Sequence, residues 1–342
     1  MIRKYSAVVG AVLLGVSILH SQTVSRAGTT AAPFLKIGVG GRILGMGEAG
    51  VTVADDATAI YWNPAGLAKL TDHQVLLNHF NWIADIRFDV AAVVFRVPGI
   101  GTVGAGITNW GAPDFERTTL AYQEGTGEMV SVGSTAVGLS FARSLTDRFA
   151  IGFNAKYITE SFWHCRADGF AIDIGVLFTT QIRNLKLGMS ISNFGTPLKL
   201  SGRDLLVQHD IDPTSEGNNS NVNAYLAADS YSLPVFFRFG TSINVAKDLI
   251  GLKRHDLIVA VDAVHPNDNR EYINVGAEYR GFNFLALRAG YRQVFLRDRE
   301  GGPAFGFGIH QGLGGFSLDL DYAALDLGRL DTMHKFSLIF SF

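Results

Sequence analysis

The chain has 342 residues, of which 47% are hydrophobic, and its formal net charge at pH 7 is −2. This near-neutral balance lacks the basic excess of a protein that binds nucleic acid. The single cysteine, Cys165, excludes an intramolecular disulfide and a cysteine-based zinc cluster, and the nine histidines show no metal-ligand spacing. No acid–base dyad or nucleophile motif is present. We therefore expect a protein without a cofactor, a metal or an enzymatic activity.

Residues 1–27 have the pattern of a cleaved secretory signal peptide. Two basic residues precede the apolar core Ser6–Leu19, which has 14 residues. As a helix this core would span about 21 Å, too short for a bilayer core of about 30 Å. Ser25 and Ala27 suit the small residues before a cleavage site, and cleavage near Ser21 is an alternative. We expect an exported protein.

The next segment, residues 28–72, is rich in glycine and alanine and favours short helices and turns over strands. We call it the N-terminal segment. Asn63-Pro64 is a strong turn signal, and Pro64 suits the first position of a short helix over Ala65–Leu70.

One motif in this segment resembles a nucleotide-binding loop. Gly45, Gly47 and Gly50 match the G-x-G-x-x-G spacing. Such a loop binds dinucleotides only between a strand and a helix of a βαβ unit. No alternation of strands and long amphipathic helices follows, so the spacing does not indicate nucleotide binding.

Residues 73–342 have the period-two hydrophobic pattern of β-strands. Ten residues tilted by about 40° rise roughly 26 Å, which matches the apolar band of about 25 Å in outer-membrane barrels. Fourteen strands are predicted. They lie at about 75–82, 87–97, 101–110, 134–144, 147–158, 168–179, 185–194, 234–244, 255–264, 271–280, 284–292, 303–312, 315–324 and 333–342.

The connections alternate between short and long, as in barrels with short periplasmic turns and longer outer loops. On most strands one face is apolar and the other carries charges. A charge on the lipid face would cost about 2–4 kcal/mol near the bilayer midplane. We therefore predict that these charges face the lumen. They are Asp262, Glu278, Arg288, Arg292, Asp319 and Asp321.

The C-terminal strand Met333–Phe342 places Phe336, Leu338, Phe340 and Phe342 on one face. An exposed hydrophobic edge favours aggregation in water, whereas the last strand of a membrane barrel pairs with the first and faces lipid. A strand ending in Phe also resembles the signal that outer-membrane proteins present to their barrel-insertion machinery. The alternative, a soluble β-sandwich, explains the leader and the charged inner faces poorly. We predict an all-β, transmembrane antiparallel barrel of about 14 strands in the bacterial outer membrane.

A block of about 30 residues also carries a family resemblance. It resembles the N-terminal block of the PorV/PorQ family, which is related to FadL, the long-chain fatty-acid transporter of the outer membrane. The resemblance implies a FadL-like barrel, and PorV-like members work with the type IX secretion system. The residues of the motif are, in chain order, Gly45, Gly47, Gly50, Asp55, Asp56, Asn63, Pro64, Ala65 and Gly66.

Fourteen strands about 4.8 Å apart enclose a cylinder of roughly 28 Å diameter, which side chains alone do not fill. We expect residues 33–72 to fold inside it as a hatch, because many inner positions are Gly or Ala. The alternative is a flexible periplasmic tail. Either way, we divide the chain into a leader at 1–27, the N-terminal segment at 28–72 and a barrel at 73–342.

Two functions follow from the resemblance. The first is a secretion partner whose long outer loops bind secreted protein cargo and deliver it for surface attachment. The second is a FadL-like transporter of long-chain fatty acids or other hydrophobic small molecules, and a hatch disfavours an open general porin. The pair His164-Cys165 has no Asp or Asn nearby in the sequence pattern, and we interpret it as incidental.

Overall fold

The computed structural model describes residues 26–342 except 215, 216, 218, 220, 253, 282, 283, 297 and 298. The predicted signal peptide, residues 1–27, lies almost entirely outside the described residues. No helix among the described residues combines the length and the hydrophobicity that a bilayer span requires.

Fourteen long strands form one closed antiparallel sheet, and each pairs with its neighbours along the chain. This confirms the predicted all-β barrel. The strands are β1 (Gln74–Asn81), β2 (Arg87–Val97), β3 (Gly101–Gly111), β4 (Val132–Ser144), β5 (Phe149–Phe162), β6 (Cys165–Thr179), β7 (Lys186–Gly195), β8 (Phe236–Asn244), β9 (Asp256–Pro266), β10 (Tyr272–Gly281), β11 (Leu285–Val294), β12 (Pro303–Leu313), β13 (Phe316–Asp326) and β14 (Thr332–Ser341).

The first and last strands close the barrel. β1 pairs with β14 from Gln74 opposite Ser341 to His79 opposite Phe336. Beyond this ladder, the backbone N–H of Phe342 donates to the carbonyl oxygen of His73 at 3.0 Å. Closure leaves neither strand with an unpaired edge, which a sheet in lipid requires because no water can satisfy its backbone groups.

Side chains alternate between the two faces of the sheet. On β5, Phe153 and Tyr157 are exposed on the outer face, whereas Asn154 is buried on the inner face. Asp89 on β2 lies on the outer face, where its Oδ1 is 2.6 Å from Nδ1 of His79 on β1. The inner face therefore does not hold every charge of the barrel strands.

One predicted outer loop is shorter than expected. The sequence pattern placed a loop at Thr159–Ala167, but β5 and β6 continue their pairing as far as Phe162 opposite Cys165. Only Trp163 and His164 connect them. The polar residues of this stretch hid its strand character because they lie where the barrel wall extends beyond the apolar band.

The outer loops carry short β-ribbons. The paired segments are Phe115–Glu116 with Met129–Val130, Leu198–Lys199 with Ser230–Tyr231, and Leu206–His209 with Val222–Tyr225, while Ser201–Gly202 extends the sheet beside β6. Short helical turns complete the connections. They are the 3-10 turns Ile83–Asp85, Arg203–Leu205 and Gly328–Leu330 and the π-helical turn Val245–Ile250.

The N-terminal segment contains four short helices. Two are α-helices, α1 (Gly41–Gly45) and α2 (Ala59–Trp62), and two are 3-10 helices, Pro33–Lys36 and Pro64–Lys69. The last of these begins at Pro64, where the sequence placed the start of a short helix. Its N-cap, Asn63, accepts a hydrogen bond from the backbone N–H of Ala65, which satisfies one of the free donors at a helix start.

Candidate functional site

The barrel wall encloses the N-terminal segment. The segment begins at the outer mouth, where the backbone N–H of Ala32 donates to Oε2 of Glu160, near the outer end of β5, at 3.1 Å. Farther along, its backbone packs directly on barrel glycines. A Cβ atom at Gly152 of β5 would overlap Pro64, and one at Gly276 of β10 would overlap Met46. These strands are well separated in the ring, so the segment spans the lumen.

A buried ion network ties the segment to the wall. Arg42 of α1 is 3.0 Å from Glu278 of β10 and 3.1 Å from Asp56. Arg288 of β11 contacts the same Glu278 carboxylate at 2.7 Å and Asp321 of β13 at 2.6 Å. Two arginines thus bridge the carboxylates, which a buried ion pair needs to offset desolvation.

Asp55 completes this network on the periplasmic side. Its Oδ1 lies 2.5 Å from Nη1 of Arg42, and its side chain is 39% exposed. The paired aspartates therefore differ, since Asp56 is buried and also accepts a hydrogen bond from the backbone N–H of Thr58 at 2.8 Å. Asp56 stabilises the local turn, and Asp55 faces water.

Two further side chains bind the backbone around Val51. Oδ2 of Asp262 on β9 accepts the Val51 N–H at 2.9 Å. Nδ2 of Asn63 donates to the Val51 carbonyl oxygen at 2.8 Å and to that of Val176, on β6, at 3.1 Å. Asn63 thus joins two turns of the segment to the wall through one buried amide.

The motif glycines lie at close contacts. Gly45 packs on Gly306 of β12, and Gly66 packs against the Ala54 carbonyl oxygen. Gly47 has a φ of +63° and lies against the backbone of β11, so it needs both a left-handed conformation and the absence of a side chain. Gly50 packs on Trp62. These contacts explain the glycine pattern without a nucleotide.

The other two predicted lumen charges lie outside the network. Nε of Arg292, near the outer end of β11, is 3.2 Å from Oε1 of Glu48. The two atoms do not form a hydrogen bond, and this Nε has no hydrogen-bond partner among the described residues. Asp319, near the periplasmic end of β13, pairs with His310 at 2.7 Å.

The C-terminal aromatic residues lie on the outer face of β14. Phe336 is 52% exposed and Phe342 is 40% exposed. The Phe340 ring stacks on Phe316 of β13, with centroids 5.4 Å apart, and on Phe342 at 5.8 Å. Leu338 shares this face. Together they present an apolar strip suited to lipid.

Above the segment lies a cavity of about 410 Å³ at the outer mouth, which we call the outer cavity. Its walls are mostly apolar. They include Phe34, Trp82, Trp110, Leu325, Leu327 and Met333. Lys335, Arg292 and Glu48 also line it.

A second cavity, of about 370 Å³, lies at the periplasmic mouth, and we call it the periplasmic cavity. Its lining is polar and includes both ends of the ion network. Among these residues are Arg42, Asp55, Asp56, Arg280, Arg288 and Asp321. The N-terminal segment lies between the two cavities.

The structure also places an acid beside His164. Oδ1 of Asp204 is 2.9 Å from Nδ1 of His164, and Nη2 of Arg203 is 2.6 Å from Nε2. Desolvation opposes the effect, but hydrogen bonds from His164 hold the pKa of Asp204 below its ordinary value. Cys165 is buried. Among the described residues, no three His, Cys, Asp or Glu side chains cluster as metal ligands.

Sequence reasoning missed two residues of this interior, Arg42 and Lys335. An arginine within an apolar, glycine-rich run was a usable signal for Arg42, because such a charge needs a partner when buried. The alternation of β14 places Lys335 on the inner face, but no pattern in the sequence shows what it contacts.

Comparison with solved structures shows the same barrel fold. The CymD monoaromatic hydrocarbon channel has 12% identity and a TM-score of 0.55, covering 89% of this chain and 96% of that one. The toluene transporter TodX of Pseudomonas putida has 13% identity and a TM-score of 0.54, covering 89% and 97%. A FadL homologue of Pseudomonas aeruginosa has 12% identity and a TM-score of 0.48, covering 89% of this chain and 97% of that one.

Sequence comparison identifies the family. None of the curated proteins matches the chain. A family model described as type IX secretion system protein PorV matches residues 20–199, which is more than half of the 342 residues. That range contains the N-terminal segment and the first seven barrel strands. The chain belongs to the PorV family.

Proposed function

We propose that this barrel is a non-enzymatic carrier in type IX secretion, which binds secreted protein cargo at its outer loops and delivers it for surface attachment. Membership of the PorV family carries this proposal. The cargo would meet the protein on the outer side, where the long loops lie.

The outer loops offer a surface of suitable size and character. The two longest connections, at about 111–133 and 195–233, could present a contact of ~800 Å² per partner. Several large apolar side chains project from the outer loops, including Leu120, which is 97% exposed, and Phe295, which is 81% exposed. Contiguous exposed apolar surface is typical of protein-binding sites, and these loop side chains are candidates to supply it.

The enclosed segment supports a carrier over an open pore. Buried side chains, the ion network and direct backbone packing fill the centre of the barrel. We propose that the segment acts as a hatch that closes the lumen, so that cargo is held at the outer mouth rather than passed through.

Substitutions in the loops test cargo binding without altering the wall. Leu120→Asp with Tyr122→Ser should lower the recovery of secreted proteins with the affinity-purified barrel from its native host. The matched control is Leu249→Asp with Ile250→Ser, since these residues are 45% and 64% exposed on a periplasmic turn. Equal recovery with both variants would reject binding at these loops.

A transporter of hydrophobic molecules is the second candidate, and the apolar outer cavity favours it. Two barrels of this fold are described as a monoaromatic hydrocarbon channel and a toluene transporter. The candidate predicts that the purified barrel binds a long-chain fatty acid at micromolar concentration. Such binding, with an unchanged set of captured proteins in the loop variants, would replace the carrier proposal.

A further inference from the structure

A groove of about 650 Å³ lies on the outer face of the barrel wall, across the seam where the first and last strands pair. We call it the wall groove. Its floor is Ala91 of β2, which lies opposite Leu77 of β1 on one side and Ile107 of β3 on the other. Both neighbours are large and exposed, so the small alanine leaves a depression between them. The β13 and β14 side of the groove is lined by Leu320, Phe336 and Leu338.

The end of the wall groove nearest the outer loops is polar. His79 and Asp89 line it, and they pair with each other through Nδ1 and Oδ1 at 2.6 Å. Asn109 of β3 lies opposite Asp89, and its Oδ1 accepts a hydrogen bond from Oγ1 of Thr135 at 2.9 Å. Nδ2 of Asn109 has no hydrogen-bond partner among the described residues. This amide nitrogen can therefore donate to a ligand in the groove.

Arg87 lies above this polar end, toward the outside. It is the first residue of β2, it is exposed, and alternation places it on the same face as Asp89. Its side chain forms no ion pair and no hydrogen bond with any residue that the structure describes. Two residues of a tilted strand rise roughly 5 Å. Arg87 is thus at the outer boundary of the apolar band, where a positive charge costs little.

The order of these groups along the wall matches the order of groups in a membrane lipid. Arg87 and Asn109 are diagonal neighbours on adjacent strands, so their backbones are about 7–8 Å apart. The cation comes first, the amide donor lies deeper, and the apolar floor is deepest. His79 offsets the carboxylate of Asp89, which leaves Arg87 as the charge that can recognise a headgroup. A guanidinium is well suited to bind phosphate.

We propose that the wall groove binds an acylated lipid with a phosphate headgroup from the outer leaflet. The phosphate pairs with Arg87, a carbonyl oxygen at the head of an acyl chain accepts from Nδ2 of Asn109, and the chain packs over Ala91. The site lies on the lipid-facing wall, so it is separate from both cavities and from the outer loops, and it does not depend on the proposed carrier function.

The test compares two lipids that differ in the headgroup. Dioleoylphosphatidylglycerol carries the phosphate, and dioleoylglycerol has the same acyl chains without it. Each is titrated into the full mature chain, refolded and delipidated in detergent, and native mass spectrometry counts the bound lipids. We expect the phospholipid to bind at least about tenfold more tightly, since the neutral lipid lacks the charge-assisted hydrogen bonds to the arginine.

Four variants assign the binding to the groove. Arg87→Gln should make the two affinities equal, whereas Arg143→Gln, an exposed outer-face arginine at the periplasmic end of β4, should keep the preference. Ala91→Phe fills the groove and should weaken both lipids at least about tenfold. Ala155→Phe, at an exposed outer-face position of β5, should change neither affinity. Heat-modifiable migration on gels checks that each variant forms a barrel.

Several outcomes would overturn the inference. They are equal binding of the two lipids by the unsubstituted protein, no binding of either, a preference that survives Arg87→Gln, or competition by inorganic phosphate at the concentration of the lipid. Photo-crosslinking in native outer membranes, from Leu77→p-benzoylphenylalanine, distinguishes a lipid from a protein in the groove. Recovery of a crosslinked lipid supports the proposal, and recovery of a crosslinked protein in its place rejects it.

Discussion

The outer and periplasmic cavities have similar volumes but opposite chemistry. The periplasmic cavity is lined by charges that pair with one another across the segment and the wall, through Arg42, Glu278 and Arg288. The outer cavity is mostly apolar, and its buried cation, Lys335, has no ionic partner among the described side chains. Charges that are satisfied internally hold a structure together, whereas an unsatisfied charge beside open space suits recognition.

Removing the N-terminal segment should have the largest effect, because the two cavities would merge and the difference between them would be lost. A chain lacking residues 33–70 should conduct ions in planar bilayers far better than the full mature chain, since a 14-strand barrel is too wide for side chains alone to close. Single-channel recordings measure this, after heat-modifiable migration confirms folding. Equal conductance of the two chains would show that the segment does not plug the pore.

The last strand, which closes the barrel by pairing with β1, carries an apolar strip on its outer face and ends on the periplasmic side. Phe342→Asp, or deletion of Phe342, should lower the amount of folded barrel in outer-membrane fractions several-fold, because the terminal strand would lose its aromatic stack and its resemblance to the insertion signal. Immunoblots of unheated samples measure the folded form. Phe295→Asp, in an outer loop, is the control and should leave the yield unchanged. An unchanged yield for the Phe342 variants would contradict this role.

Breaking the ion network should destabilise the protein by about 3–5 kcal/mol, because Arg42→Met removes the cation that pairs with the buried Asp56 and one of the arginines that pair with Glu278. Urea unfolding of the refolded barrel, followed by tryptophan fluorescence, measures the change. The control is Arg117→Met, whose partner Glu128 lies 2.8 Å away in an exposed outer loop. Exposed pairs contribute about 0–1 kcal/mol, so similar losses for the two variants would argue against the network.

The barrel was predictable because its signal is spread over many residues. Alternation marked fourteen strands, the connection lengths kept them in phase, and the apolar C-terminal strand indicated a barrel in lipid. The structure pairs all fourteen strands. The interior was less predictable, because its contacts join residues far apart in sequence. Arg42 and Glu278 are 236 positions apart, and no local pattern links them. The extension of β5 and β6 was missed since polar residues form strands beyond the apolar band.

The last prediction concerns the change in the free energy of unfolding for Lys335→Met, which should be opposite in sign to the change for Arg42→Met. Lys335→Met should raise the free energy of unfolding by about 1–2 kcal/mol, because it removes a buried charge that lacks an ionic partner and keeps the volume filled. The lost contact with the Gly38 carbonyl oxygen and the lost cation–π contacts reduce this gain. Urea unfolding under the conditions used for Arg42→Met measures it. A loss of 3 kcal/mol or more would show that Lys335 is structural like Arg42, and the contrast between the two cavities would fail.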